Sequence, residues 1–305
     1  MSNNIIRPYN IAIIQGGPNT DDNEANLNKY LTLVDEAAKS KPDLIAFGEL
    51  FCTKFFPTVE DNKFFKLAEK FPGGPTSEAM GEKAKKYGCY IAAGFFEKGN
   101  LEGEYYNSAF MMGPDGKPVQ GVLPDGRKVT CYRKVHIPLI MPKVSYEKCY
   151  FRPGVGFPVF DLGKTKAGIL ICYDTSFPEA WRVIALQGAE ILISATSART
   201  LFEEKFRLTT RAAASTSGIY VVFANRGGIE ESVVPGGVKW DSFGKSSVID
   251  VSGQIITEGP YKEGPAIVSA TIDLDEVGKK RLSSNFIRDR RPEAYKILTE
   301  EIPHF

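Results

Sequence analysis

Cys172 has the clearest potential for chemistry, because it follows a short apolar run at a point where the chain turns. Residues 169–171 have the composition of a buried strand, and residues 177–188 carry apolar side chains at helical spacing. Backbone N–H groups at such a strand-to-helix turn lack partners, so they stabilise a thiolate or an oxyanion beside them. We therefore expect Cys172 to be a nucleophile; a small buried core residue is the alternative.

A nucleophilic thiol needs a base, and histidine is scarce in this chain. Only His136 and His304 are present, so the sequence favours a carboxylate base over a cysteine–histidine pair. Glu49 follows a second apolar run, residues 44–47, and precedes a segment too aromatic for a simple surface loop. We predict that Glu49 lies in a pocket as the base; a solvated turn residue is the alternative. His136 is interpreted as a hydrogen-bonded supporting residue.

Two further charged residues occupy apolar surroundings. Lys134 stands between a strand-like run and an apolar segment, where an unpaired ammonium group would be costly. We expect it to pair with Glu49 and to donate hydrogen bonds to an oxyanion. Glu147 adds a second carboxylate in an aromatic segment, with a surface ion pair to Lys148 or Arg152 as the alternative.

Alternating strands and helices must position these residues. Turn signals at 113–116 and 124–126 indicate hairpins within this β–α–β pattern, and so a mixed sheet. The predicted strands are residues 9–14, 44–47, 89–95, 105–112, 129–132, 169–171, 190–194, 219–224, 246–250, 254–258 and 266–272, and the predicted helices are 19–37, 64–70, 76–87, 177–188 and 203–217.

The composition excludes several classes of function. The 305 residues include 38 Lys and Arg against 37 Asp and Glu, so no strong net charge attracts nucleic acid or an anionic membrane. No apolar run is long enough to span a membrane and the start lacks a secretory pattern, so a cytoplasmic protein is expected. The five cysteines form no CxxC pair and are expected to be reduced.

The segments around the four candidate residues resemble the nitrilase superfamily of carbon–nitrogen hydrolases. They are FGELF at Glu49, YRKVHIP at Lys134, YEKCYFRPG at Glu147 and GILICYDTSFPEAWR at Cys172. The resemblance implies a four-layer α-β-β-α sandwich with mixed sheets, formed by residues 1–305 as a single domain. It also implies Glu49 as general base, Lys134 as oxyanion stabiliser, Cys172 as nucleophile, and Glu147 as a residue that orients substrate and assists the lysine.

The same resemblance implies the reaction. We expect a thiol hydrolase that cleaves the C–N bond of an N-carbamoyl or amide compound through a covalent intermediate on Cys172 and releases ammonia. The partner is a small molecule, no cofactor or metal is needed, and the tail 277–305 packs against a second subunit of a homo-oligomer. The alternatives are an amidase, a nitrilase, and a non-catalytic or redox-sensing member of the superfamily.

Departures from the branch that this chain resembles most, the N-carbamoyl amino acid amidohydrolases, bear on the substrate. Carbamoyl-D-amino acid hydrolases hold the substrate carboxylate with two arginines, which are replaced here by Thr175 and Ser176. Arg199 is a candidate replacement, and Trp240 lies either at the opening of the site or in the core. The remaining candidates for substrate binding are Phe55, Tyr106, Tyr173 and Ser197.

Overall fold

Two large mixed β-sheets and the helices that cover them make up the structure, a computed structural model that describes residues 6–140 and 145–300. The helices are α1 Asn23–Ala37, α2 Pro75–Tyr87, α3 Pro178–Leu186, α4 Glu203–Ser217 and α5 Asp275–Ser284. The strands are β1 Pro8–Gln15, β2 Leu44–Phe47, β3 Tyr90–Lys98, β4 Tyr105–Met112, β5 Gly121–Val122, β6 Lys128–Val129, β7 Tyr132–Arg133, β8 Val159–Asp161, β9 Lys166–Ile171, β10 Ile191–Ala195, β11 Tyr220–Ala224, β12 Gly227–Glu230, β13 Trp240–Phe243, β14 Ser247–Ile249, β15 Ile255–Glu258 and β16 Ala266–Asp273.

The strand order gives each large sheet a parallel centre with antiparallel edges. The first sheet has the order β16-β1-β2-β3-β4-β7, with β1, β2 and β3 parallel. The second has the order β15-β14-β11-β10-β9-β8-β5-β6, with β9, β10 and β11 parallel. A two-stranded sheet pairs β12 with β13. The expected mixed sheets are thereby confirmed.

The side chains of β1 explain the layering. Ile11 and Ile13 join a core shared with the second sheet, whereas Ala12 and Ile14 join a core with residues of α1 and α2, such as Tyr30. Successive strand side chains point to opposite faces, so an unbroken apolar run is the pattern of a strand buried on both sides. Helices α3 and α4 contact each other and pack against the second sheet. The layers are therefore helix, sheet, sheet and helix.

Gly48 marks the place where the two sheets meet at the carboxyl ends of their parallel strands. A Cβ atom at this position would lie 2.6 Å from the carbonyl oxygen of Thr196, which directly follows β10. The next residue, Glu49, donates its backbone N–H to the same oxygen at 3.3 Å. A glycine is required because any side chain would force the two strand ends apart.

Some predicted elements differ from those observed. The predicted strand 129–132 is wrong, because its residues divide between β6 in the second sheet and β7 in the first. The predicted helix 64–70 is a 3-10 helix, Asn62–Leu67. The turn at 113–116 forms, but the strand that follows, β5, joins the second sheet instead of pairing with β4.

The C-terminal tail contains α5 and two 3-10 helices, Pro292–Ala294 and Lys296–Leu298. Apolar side chains such as Leu282 and Ile297 are exposed along it. Its packing against a second subunit, like the single-domain organisation, stays a prediction, and residues 301–305, which include His304, lie outside the described residues. Within residues 6–140 and 145–300, no helix is long and apolar enough to cross a membrane.

Candidate active site

Cys172 lies at the carboxyl end of β9 and begins a 3-10 turn, Cys172–Ser176, that leads into α3. Its φ angle is +46°, in the left-handed region that a residue with a side chain rarely adopts. The buried carboxylate of Asp174 stabilises this turn, because it accepts the Ile171 backbone N–H at 3.2 Å. The thiol is thus held on a constrained turn at the carboxyl end of β9, a strand inside the second sheet.

Asp174 also joins this turn to the segment that carries Lys134. Its other oxygen accepts the backbone N–H of His136 at 2.8 Å, and the His136 ring nitrogen Nδ1 lies at the same distance. Tyr132 donates its hydroxyl hydrogen to Asp174 at 2.5 Å. His136 is therefore hydrogen-bonded to Asp174, as expected of a supporting residue, and Asp174 itself is a positioning residue.

The structure brings Glu49, Lys134 and Glu147 together in one buried cluster. The Lys134 Nζ lies 2.8 Å from Glu49 Oε1 and 2.6 Å from Glu147 Oε2, and none of the three side chains is more than 2% exposed. Asn107 on β4 donates to the same two oxygens, at 2.8 Å and 3.3 Å. Sequence reasoning missed a role for Asn107, although a polar residue inside an apolar strand was a signal.

Burial and the charges of this cluster shift the pKa values of Lys134 and Glu147. Burial disfavours the Lys134 ammonium, but the carboxylates of Glu147 and Glu49 outweigh that effect, so the pKa of Lys134 is raised. Burial raises the pKa of Glu147 to about 7, although Lys134 opposes the shift. The lysine therefore stays charged while one of the two carboxylates holds a proton readily.

The charges of this cluster also act on the pKa of the Cys172 thiol. Burial and then the Glu49 charge raise the pKa of the Cys172 thiol well above its usual range, while Lys134 and the Ser197 backbone act in the opposite direction. A resting thiolate is therefore not favoured here. The group is a neutral thiol that needs a base when it reacts.

The turn that carries Glu49 is held by Arg226, which follows β11. The guanidinium group donates to the carbonyl oxygens of Glu49 at 3.1 Å and Leu50 at 2.5 Å, and pairs with Glu230 at 3.0 Å. Leu50 also has a φ angle of +46°, so this turn resembles that of Cys172 in its strain. Glu230 accepts the backbone N–H of Phe55 at 2.7 Å, which fixes the aromatic segment after Glu49.

A narrow cavity with a volume of about 50 Å³ opens onto Cys172. The predicted substrate-binding residues Phe55, Tyr173, Ser197 and Arg199 all line it, as does Glu147. The other lining residues are Pro138, Ile140, Ser145, Ala198, Phe202, Lys205, Phe206 and Trp240. The cavity is therefore largely apolar, with its charged groups at a few defined positions.

Tyr106 does not lie in this cavity. Its neighbour Asn107 faces the buried cluster, and successive side chains of a strand point to opposite faces. Tyr106 instead lies beneath the guanidinium group of Arg133, 3.8 Å from the ring centre, and lines a different pocket. Its expected place beside the substrate is a prediction that the structure corrects.

The residues that replace the two arginines carry no charge into the cavity. Thr175 is fully buried and shares a hydrogen bond of 3.0 Å with Ser194. Arg199 does reach the cavity, where its Nε donates to Asp241 at 2.9 Å. Trp240 is buried, lines the cavity and stacks on Phe55, with ring centres 4.0 Å apart.

Comparison with known proteins identifies the family. The family model described as carbon-nitrogen hydrolase matches residues 10–282. The chain belongs to the carbon–nitrogen hydrolase family. An N-carbamoylputrescine amidase of Arabidopsis thaliana is 34% identical over 92% of this chain and 91% of its own length. A citrullinase of Francisella tularensis is 34% identical over 93% of this chain and 96% of its own.

Solved structures agree with this assignment. A carbon–nitrogen hydrolase from Helicobacter pylori G27 superposes with a TM-score of 0.86 at 29% identity, covering 97% of this chain and 100% of its own. The expected nitrilase-superfamily sandwich is thereby confirmed, and this carbon–nitrogen hydrolase is an enzyme. Within its described residues, no group of three or more His, Cys, Asp and Glu side chains is placed to hold a metal ion.

Proposed function

We propose that this enzyme hydrolyses the C–N bond of an N-carbamoyl or amide compound, with Cys172 as the nucleophile. One observation carries the proposal: the buried Glu49–Lys134–Glu147 cluster lies beside a thiol at the end of a narrow cavity. Burying two carboxylates and an ammonium group is costly for stability, so such a cluster is better explained by chemistry than by folding.

In the first step, Glu49 removes the thiol proton as Cys172 attacks the carbonyl carbon. The Oε1 atom of Glu49 is occupied by Lys134 and Asn107, whereas its buried Oε2 atom has no hydrogen-bond partner among residues 6–140 and 145–300. That second oxygen is thus available to accept a proton. A neutral thiol with a raised pKa requires such a base.

Lys134 and the Tyr173 backbone N–H then stabilise the oxyanion that forms on the substrate. The protonated Glu49 gives its proton to the departing nitrogen, which leaves as an amine or as ammonia, and a covalent acyl-enzyme remains. Water, activated by the same carboxylate, attacks this intermediate and regenerates the thiol. An amide yields a carboxylic acid and ammonia, whereas an N-carbamoyl compound yields an amine, carbon dioxide and ammonia.

Glu147 keeps Lys134 charged and in place during these steps. It contacts the ammonium group at 2.6 Å and also accepts a hydrogen bond from the Ser145 hydroxyl at 3.3 Å. The pKa of Glu147 is raised to about 7. Glu147 can therefore release a proton when Glu49 gains one, and take a proton up again when Glu49 loses it.

The test is ammonia release from N-carbamoyl amino acids, carbamoylputrescine, simple amides and nitriles, with carbon dioxide measured in parallel. We expect ammonia together with carbon dioxide from the ureido compounds, and no product from Cys172→Ala. Cys149→Ala is the matched control, since Cys149 is exposed and lines no part of this cavity. Ammonia from amides or nitriles alone would assign an amidase or a nitrilase, and turnover by Cys172→Ala would contradict the mechanism.

A redox-sensing role fits this site less well. Thiols that sense oxidants react as thiolates, and their susceptibility follows thiolate character. Here burial and the Glu49 charge favour the neutral thiol of Cys172. If the wild-type protein hydrolyses no compound of the panel, the redox-sensing role becomes the favoured interpretation.

A further inference from the structure

Apart from Glu147, the charged side chains that line the cavity are cations. Arg199 and Lys205 both line it, and Glu147 is the only acidic side chain among its described lining residues. Glu147 is buried and already paired with Lys134 at 2.6 Å. Arg199 is ion-paired with Asp241 at 2.9 Å, whereas Lys205 has no carboxylate partner among the described residues. A ligand that reaches Lys205 therefore meets one uncompensated positive charge.

Arg199 is held in a fixed orientation with donors to spare. Its guanidinium carbon lies 5.4 Å from the centre of the Trp240 ring, and its Nε atom donates to Asp241 at 2.9 Å. Its two Nη atoms make no hydrogen bond to any residue in the described part of the chain. A planar guanidinium group with two free nitrogens suits a carboxylate, which it binds through paired hydrogen bonds.

Lys205 lies in the first part of α4 and is exposed. Its ammonium nitrogen is 5.4 Å from the centre of the Tyr173 ring, next to the nucleophile in the chain. Among the residues that the structure describes, no carboxylate lies within ion-pair distance of it. An unpaired cation this close to the opening favours an anionic ligand over a cationic one.

Much of the remaining wall of the cavity is aromatic. Phe55, Phe202, Phe206 and Trp240 line the cavity and offer a hydrocarbon chain a surface to pack against. The cavity thus combines the thiol, aromatic walls and two cationic side chains.

We propose that Arg199 and Lys205 bind an anionic group at the far end of the substrate, so that the enzyme prefers ureido or amide compounds that carry a carboxylate. This inference rests on the proposed function, and it names the substrate class of the same site. It separates this enzyme from its Arabidopsis relative named N-carbamoylputrescine amidase, because the free end of N-carbamoylputrescine is a cationic amine.

The test compares three ligands that share a ureido group and a chain of similar length. They are 5-ureidopentanoate, an anion; N-carbamoylputrescine, a cation; and n-pentylurea, which is neutral. Affinities are measured by calorimetry on the inactive Cys172→Ala protein, so that the charge preference is read without turnover. We expect the anion to bind at least about tenfold more tightly than the cation.

Substitutions at the two cations give the decisive measurement. Arg199→Gln in the Cys172→Ala background should weaken binding of the anion about tenfold and Lys205→Gln about threefold, while binding of n-pentylurea changes less than about twofold. Lys205→Glu should narrow or reverse the preference between anion and cation. Lys85→Gln is the matched control, because Lys85 is exposed on α2 and lines no part of this cavity.

Each outcome separates the two proposals. Equal or tighter binding of the cation, no binding of any of the three ligands, or an equal loss for all three in Arg199→Gln would overturn the inference. If the wild-type enzyme hydrolyses N-carbamoylputrescine in preference to 5-ureidopentanoate, the inference is overturned, but the proposed hydrolase function is still supported. Preferential binding of the anion without turnover of any ureido, amide or nitrile compound would overturn the proposed function alone.

Discussion

Replacing Glu147 by glutamine should change how the stability of the enzyme depends on pH. The pKa of Glu147 is raised from its ordinary 4.5 to about 7, mainly by burial. Between these values the folded protein holds a proton that the unfolded chain releases, so the free energy of unfolding falls as pH rises through this window. At about 1.4 kcal/mol per pKa unit, the loss is on the order of 3 kcal/mol.

Glutamine preserves the contacts of Glu147 and removes its titration. Its amide oxygen can still accept from Lys134, and its amide nitrogen can donate to the Ser145 hydroxyl, which now lies 3.3 Å from the carboxylate. Relative to the wild type, the variant should therefore gain about 2 to 3 kcal/mol of stability between pH 5 and pH 8. Its hydrolytic activity should fall, because Lys134 loses one of the two charges that hold it.

Urea unfolding at equal protein concentration, at pH 5, 6, 7 and 8, measures this difference. The control is Glu82→Gln, an exposed position on α2 whose curve should run parallel to that of the wild type. If the wild type and Glu147→Gln also run parallel across this range, Glu147 does not hold a proton in the folded enzyme and the reasoning is refuted. Convergence of the two curves above pH 7 would refute it equally, since the wild type should be the less stable there.

Three further substitutions test the site. Cys172→Ala should abolish ammonia release and change the free energy of unfolding by less than about 1 kcal/mol, because it removes little volume; residual turnover would mean that another group attacks. Lys134→Met should be inactive and less stable by about 3 to 5 kcal/mol in urea unfolding, because it leaves Glu49 and Glu147 buried without a counter-charge; wild-type stability would contradict the cluster. Asp174→Asn should lower kcat at least about tenfold, since an amide N–H would oppose the donors of the Cys172 turn; unchanged kinetics would remove Asp174 from the positioning of the thiol.

Local periodicity predicted most of the elements but not all of their partners. The bounds of β2, β4 and α4 agree with the predicted 44–47, 105–112 and 203–217. The strand predicted at 129–132 failed because a run of apolar residues shows that a segment is buried without showing against which sheet. Here the run is shared between two sheets, and only tertiary packing decides where the chain crosses.

The candidate site shows the same division. Glu49, Lys134, Glu147 and Cys172 stood out because charged or reactive side chains interrupt apolar runs, and the structure brings them together. Tyr106, which was expected to line the substrate pocket, lines a different pocket. Neighbouring residues of a strand point to opposite faces of the sheet. The sequence alone did not show whether Tyr106 or Asn107 faces the buried cluster, and the structure shows that it is Asn107.

The two turns that carry the reacting groups explain why the positioning residues were hard to find. Leu50 and Cys172 both have φ near +46°, a conformation that costs about 1 to 2 kcal/mol for a residue with a side chain. Each strained turn is held by a buried side chain, Arg226 for the first and Asp174 for the second. Arg226 lies 176 positions from Leu50 in the chain, so no local pattern links them. The geometry of the site therefore depends on contacts that form only when the two sheets have packed.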